Sequence, residues 1–251
     1  MVISPISGSF RAVAFRLRQE IARSTLPRRT QAGTANVVFH VLNRSVRGTR
    51  LFETSQDHLA FERILSEAVT RHSLRLLAYC VMPNHWHLIV WPTEDQQLSK
   101  CMHWLTLTHA ARWGTAKHLR GTGAVYQDRF KAIPVQTETY FLTVCRYVER
   151  NALRAGLVPR AEEWRWSSLW QRCNSHYAVP LHEWPILRSA DWVDFVNRPQ
   201  TDDEVEAVRK AVRTGQPLGI NDWPRQTAVR LGLEETLNPR GRPRKVTRSL
   251  F

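Results

Sequence analysis

The sequence has few cysteines, and none of them is spaced to bind zinc. The four, Cys80, Cys101, Cys145 and Cys173, include no Cys-x-x-Cys pair, so we do not expect a structural zinc site built from cysteines. Each stands in an apolar or helical context, which is typical of buried free thiols in a reducing compartment.

Long apolar runs are also missing. No stretch approaches the roughly 20 residues needed to cross a bilayer, and residues 1–33 lack the apolar core of a secretory signal. We therefore expect no membrane partner and a cytoplasmic location. The Arg- and Ser-rich N-terminal segment also resembles an organelle transit peptide. We favour a basic, partly disordered arm over that interpretation.

Acidic residues are fewer than basic residues in this sequence. The 251 residues include 36 basic and 22 acidic side chains, for a formal charge of +14. A field of this sign favours a polyanionic partner, most often nucleic acid, over a merely basic soluble protein. The ten tryptophans include candidate stacking surfaces for unpaired bases.

Apolar periodicity predicts an α+β fold. The predicted order is strand 35–43, helix 57–70, strand 74–82, a strand from 85, helix 98–119, strand 130–136 and helix 140–155, the last capped by the Thr137 hydroxyl. The short turn at Pro83 and Asn84 makes its two strands antiparallel neighbours. This order predicts an antiparallel-rich sheet with helices on one face.

The composition changes along the chain and divides it into four predicted segments. Residues 1–33 form a basic, partly disordered arm, and residues 34–172 form the main domain. Residues 173–235 form a C-terminal extension that is helical in part and serves DNA binding or bracing. Residues 236–251 form a disordered basic tail.

Two histidines lie two positions apart where a predicted strand begins. Strand alternation puts His85 and His87 on one face, and Trp86, Leu88 and Val90 on the other, helix-covered face. Paired imidazoles on a rigid strand form half of a metal site. Two satisfied surface histidines are the alternative, and the tyrosine helix described next favours the metal site.

The helix predicted over 140–155 carries a candidate nucleophile. Tyr147 and Asn151 lie one turn apart on one face, and Tyr140 lies on the same stripe. We favour Tyr147, since it alone is one turn from an amide that could ligate a metal; a core aromatic is the alternative. A phenol with a pKa near 10 needs a nearby cation to attack phosphorus, which would give a 5′-phosphotyrosine.

Basic side chains surround this pattern. We expect phosphate contacts from residues in the main domain, although each could equally be a solvated surface charge: Arg44, Arg129, Lys131, Arg146, Arg150 and Arg154. The stretch 239–245 resembles an AT-hook that would bind AT-rich duplex DNA through Arg240, Arg242, Arg244 and Lys245. A nonspecific basic tail is the alternative there.

Five separated motifs occur in an order that resembles the IS200-like transposases, and more narrowly the REP-associated tyrosine transposases. They are Phe-His-Val-Leu-Asn-Arg at 39–44, Met-Pro-Asn-His-Trp-His at 82–87, Tyr-Val-Glu-Arg-Asn at 147–151, Arg-Ala-Gly-Leu-Val at 154–158 and Trp-Ser-Ser at 166–168. The resemblance runs from about residue 36 to residue 169. Ala152 departs from it, because the family usually has proline there.

The resemblance implies a ferredoxin-like nuclease domain that binds Mg²⁺ or Mn²⁺. His85 and His87 would be metal ligands, Tyr147 the nucleophile and Asn151 the third ligand. The implied activity is nicking and rejoining of single-stranded DNA next to REP-type hairpins, by a nucleoid-associated monomer rather than a dimer. The alternatives are a domesticated hairpin-binding protein that does not cleave and a hydrolase that uses activated water instead of tyrosine.

Overall fold

The computed structural model describes residues 33–119, 121, 123–176 and 178–238. Residues 1–32 of the predicted N-terminal arm lie outside this range. So does the tail from residue 239, with the predicted DNA-binding residues Arg240, Arg242, Arg244 and Lys245.

Four antiparallel strands form the central sheet. They are β1 (Val38–Arg44), β2 (Arg75–Met82), β3 (His85–Trp91) and β4 (Lys131–Val135). Their order in the sheet is β2-β3-β1-β4, with β2 and β3 joined by the predicted short turn. The α+β class and the ferredoxin-like arrangement predicted from the sequence are confirmed.

Helices connect and follow the strands. The longer ones are α1 (Ser55–Arg71), α2 (Gln97–Ala116), α3 (Thr137–Glu149), α7 (Asp202–Thr214) and α8 (Trp223–Leu231). Three shorter ones are α4 (Asn151–Arg154), α5 (Ser168–Cys173) and α6 (Trp192–Asn197). None of the helices within the described ranges has the length and apolarity to span a membrane.

Apolar side chains cover both faces of the sheet. Phe39, Tyr79 and Trp86 point into one core with α1 and α2, as predicted. Ile89 and Val135 point into a second core formed with α3 and the helices after it. The expectation of helices on one face of the sheet was therefore incomplete. Both sets of alternating strand residues are apolar, so both faces of the sheet are covered.

The tyrosine helix is shorter than predicted and begins differently. Its N-cap is Gln136, which makes no side-chain capping bond, so the predicted capping role of the Thr137 hydroxyl was wrong. The helix ends at Glu149 with Arg150 as its C-cap, and the short helix α4 starts at Asn151. Tyr147 and Asn151 thus lie on two consecutive helical segments.

The extension packs on the second core through α6 and α7. Trp192 and Val208 are buried there, and the Trp192 indole Nε1 donates to the Glu149 carboxylate over 2.7 Å. The Glu149 carboxylate also accepts from the Ser168 hydroxyl over 2.6 Å and pairs with Arg172 over 3.3 Å. This buried network joins the end of α3 to the helices that follow it.

The four cysteines are free thiols. Cys80, Cys101 and Cys145 are buried, as predicted, whereas Cys173 is exposed. The prediction was wrong for Cys173 because α5 ends there, which leaves the side chain outside the core.

Candidate active site

The pairing of β1 with β3 places the two predicted metal ligands at one end of the sheet. Opposite positions in the two strands are Arg44 and His85, and Leu42 and His87. The His85 and His87 rings are perpendicular, with centroids 5.0 Å apart. His87 is buried and His85 is half-buried, so neither is a fully exposed surface histidine, although each has its Nδ1 in a hydrogen bond.

His85 is held by a neighbour that fixes its protonation. Its Nδ1 lies 2.6 Å from Oδ1 of Asn84, an atom that can only accept. The Asn84 amide is itself oriented, because its Nδ2 donates to the Gly48 carbonyl over 3.3 Å. The His85 proton therefore sits on Nδ1, and the Nε2 lone pair is available to a cation.

A third histidine, His40 on β1, belongs to the same cluster and was missed in the sequence. Its Nε2 lies 2.9 Å from Nδ1 of His87, and the two rings are stacked with centroids 5.0 Å apart. His40 is only 1% exposed. Strand alternation could have placed it on the face of Val38 and Leu42, but only the register of β1 on β3 brings it to His87.

Tyr147 packs against these imidazoles. Its ring lies edge-on to His87 and to His40, with centroids 6.1 and 6.2 Å away. The guanidinium carbon of Arg154 lies 3.9 Å from the ring centroid, a cation–π contact. Tyr147 is itself buried in the second core, and Tyr140 is half-buried against the same core. The contacts with His87, His40 and Arg154 distinguish Tyr147 as the candidate nucleophile.

Asn151 contacts the same arginine. Its Oδ1 accepts from Arg154 over 3.0 Å, and Arg154 also donates to the Tyr147 carbonyl over 3.3 Å. The Nδ2 of Asn151 is buried and has no hydrogen-bond partner in the described part of the chain. Because Oδ1 already accepts from Arg154, only its second lone pair is left for a metal. The Nδ2 group is therefore better suited to donate a hydrogen bond to a substrate oxygen.

The site keeps its imidazoles neutral. Burial, with a smaller contribution from Arg154, lowers the pKa of His40 to about 3. Burial, followed by Arg44 and Arg154, lowers the pKa of His85 to about 4. Burial also lowers the pKa of His87 well below its ordinary value. Neutral imidazole is the form that binds metals, and the nearby arginines give the site a positive potential.

These residues fit a divalent ion held by few protein ligands. Two neutral imidazoles converge here, but no group of three or more His, Cys, Asp or Glu side chains suited to a metal occurs among the described residues. His40 is not a third ligand, because its Nε2 is hydrogen-bonded to His87. Water and phosphate oxygens would complete the coordination, as is common for hard cations in catalytic sites.

Four of the six phosphate contacts predicted in the main domain have protein partners: Arg154, described above, and Arg146, Arg150 and Lys131. Arg146 is 4% exposed, donates to the carbonyls of Arg198 and Pro199 over 2.8 and 3.0 Å, and stacks on Phe195. Its assignment to DNA was wrong, because its donors are used inside the protein.

Arg150 and Lys131 have similar roles. Arg150 donates to the carbonyls of Val196 and Asn197 at the end of α6. The Lys131 ammonium donates to the Val212 carbonyl of α7 over 3.1 Å. Both side chains attach the extension to the main domain. Their role as phosphate contacts stays a prediction.

Arg44 and Arg129 are the predicted contacts with exposed side chains. Arg129 lines a groove of about 720 Å³ between α2 and the segment before β4. Asn43, next to Arg44 in the sequence, also lines this groove, as do Lys100 and His103 of α2. Lys100 and His103 were not among the predicted contacts, because the sequence does not show which basic residues of a helix surface line a groove.

Residues 34–151 match the family model described as "Transposase IS200 like". Among solved structures, the chain is similar to a REP-associated tyrosine transposase bound to a REP hairpin, with a TM-score of 0.46 and 20% sequence identity. The similarity covers 61% of this chain and 87% of that chain. No curated protein matches the sequence.

Proposed function

We propose that this chain, whose residues 34–151 belong to the IS200-like transposase family, nicks and rejoins single-stranded DNA through Tyr147. The observation that carries the proposal is the packing of Tyr147 against His87 and His40 on one side and Arg154 on the other. The motif resemblance adds the substrate, which is DNA next to REP-type hairpins.

Tyr147 is the nucleophile of the proposed reaction. The phenolic oxygen attacks phosphorus, a Tyr–O–P bond forms, and the P–O3′ bond breaks. The phenol loses its proton, the departing 3′ oxygen gains one, and the 5′ phosphate stays on the tyrosine. A second 3′ hydroxyl then attacks the same phosphorus and restores the tyrosine, so rejoining needs no ATP.

His85 and His87 would hold Mg²⁺ or Mn²⁺ through their Nε2 atoms. The ion would supply Lewis-acid polarisation of the scissile phosphate. Both imidazoles are kept neutral by burial and by the surrounding arginines, which keeps their lone pairs available. Manganese suits imidazole ligands better than magnesium does.

Other side chains would bind the phosphate. The buried Asn151 Nδ2, which has no hydrogen-bond partner among the described residues, would donate to a phosphate oxygen, and Arg154 contacts both Asn151 and the Tyr147 ring. Arg44 adds positive charge next to His85. These residues lie together within a single copy of the chain, and we propose a monomer as the active form.

The test is covalent trapping. Labelled single-stranded hairpin oligonucleotides from the flanks of the gene are incubated with the protein and Mn²⁺ or Mg²⁺, then separated on a denaturing gel. We expect an adduct that falls at least about 1,000-fold in Tyr147→Phe, since the phenol oxygen is the bonding atom. Tyr140→Phe is the matched control and should keep the adduct.

The other outcomes identify the alternatives. Hairpin binding without an adduct under either metal would indicate a DNA-binding protein that does not cleave. Cleavage that persists in Tyr147→Phe would indicate a hydrolase that uses activated water. Loss of the adduct in Tyr140→Phe alone would move the nucleophile to Tyr140.

A further inference from the structure

We propose that His40 is a positioning residue of the metal site: it accepts a hydrogen bond from Nδ1 of His87 and so keeps Nε2 of His87 free to bind a cation. The inference rests on the proposed metal site and assigns a role to a residue outside the His-x-His pair. It starts from the 2.9 Å contact between Nε2 of His40 and Nδ1 of His87.

The two predicted ligands are held in the same way but by different partners. Each has its Nδ1 in a hydrogen bond, His85 with Asn84 and His87 with His40. The Asn84 oxygen can only accept, so the tautomer of His85 is determined. The partner of His87 is another imidazole, which can accept or donate, so two proton arrangements are possible there.

Only one of the two arrangements allows His87 to bind a metal. If His40 donates from Nε2, the neutral His87 carries its proton on its own Nε2, and that atom cannot ligate. If His87 donates from Nδ1, its Nε2 lone pair is free, and His40 carries its proton on Nδ1. Metal ligands of this kind usually donate their other ring nitrogen to a fixed acceptor.

The surroundings of His40 suit it to this role. It is 1% exposed and enclosed by the protein, so it cannot rotate away into solvent. A charge at this depth would be costly, which favours a neutral ring with one acceptor nitrogen. His40 also contacts the Tyr147 ring edge-on at 6.2 Å, so the side chain that aligns the ligand also packs against the nucleophile.

The experiment measures Mn²⁺ affinity without DNA, by titration calorimetry. His40→Leu removes the acceptor, and we expect the affinity to fall about 10- to 100-fold, as is typical when the partner of a ligating histidine is lost. His40→Gln restores an acceptor oxygen near the position of Nε2 and should stay within about 3-fold of wild type. His109→Leu is the control, because His109 is similarly buried, at 2% exposed, in the other core.

A second readout uses the wild-type protein, so it does not require that any variant folds. In metal-free protein, ¹⁵N NMR should find the proton of His87 on Nδ1. A proton on Nε2, or unchanged Mn²⁺ affinity in His40→Leu, would overturn the role of His40 alone. Absence of Mn²⁺ binding by the wild type would overturn the metal site and this inference together.

Discussion

Arg154 and Arg146 lie on the helical segment formed by α3 and α4, and their guanidinium groups have different partners. Arg154 stacks on Tyr147 and donates to Asn151, inside the candidate active site. Arg146 is buried against Phe195 and donates to carbonyls of the extension. One arginine therefore contacts the candidate active-site residues, and the other binds the C-terminal extension.

The difference shows what decides the role of an arginine. A guanidinium has five donors and no acceptor, so it binds carbonyl oxygens as readily as phosphates. Next to α6 and α7, main-chain carbonyls are close enough to use these donors. Next to the histidines, the neighbours are an aromatic ring and an amide, and the positive charge still influences the site.

The largest effect is expected on the extension side. Arg146→Met should lower the free energy of unfolding by about 3 kcal/mol, because two carbonyl bonds and a buried cation–π contact are lost together. Urea denaturation measures this change. DNA affinity at a fixed salt concentration should stay unchanged as long as the variant is folded; a fall in affinity without loss of stability would return Arg146 to the DNA-binding surface.

A smaller effect is expected on the active-site side. Arg154→Lys keeps the positive charge but loses the planar contact with Tyr147 and the two-pronged bonding to Asn151 and the Tyr147 carbonyl. We expect the single-turnover rate of adduct formation to fall about 100-fold, as for loss of one oriented donor. Mn²⁺ affinity should change little, because His85 and His87 are intact. An unchanged rate would remove Arg154 from the mechanism.

The smallest effect is expected at the groove. Arg129→Gln should weaken binding of single-stranded DNA a few-fold and reduce the slope of log affinity against log salt by about 0.7, since one phosphate contact is lost. Fluorescence anisotropy over a range of salt concentrations measures both quantities. Arg146→Met is the comparison and should keep the wild-type slope, and equal slopes in all three proteins would exclude the groove from DNA contact.

Much of the fold was readable from local patterns. Alternation placed Trp86, Leu88 and Val90 on the face of α1 and α2, opposite His85 and His87. The short turn at Pro83 and Asn84 predicted the β2-β3 pair. These features depend on neighbours in the chain, so the sequence carries them directly. The start of the tyrosine helix was misjudged, because a hydroxyl residue near a helix start need not be its cap.

By itself, the sequence determined the elements that carry the candidate site: a strand that presents two imidazoles and a helical segment that presents Tyr147 and Asn151. The tertiary structure decided the partners of each side chain. The register of β1 brought His40 to His87, and the docking of α6 and α7 occupied Arg146, Arg150 and Lys131. The physical reason is that periodicity sets the direction of a side chain, whereas its hydrogen-bond partners come from segments distant in the chain.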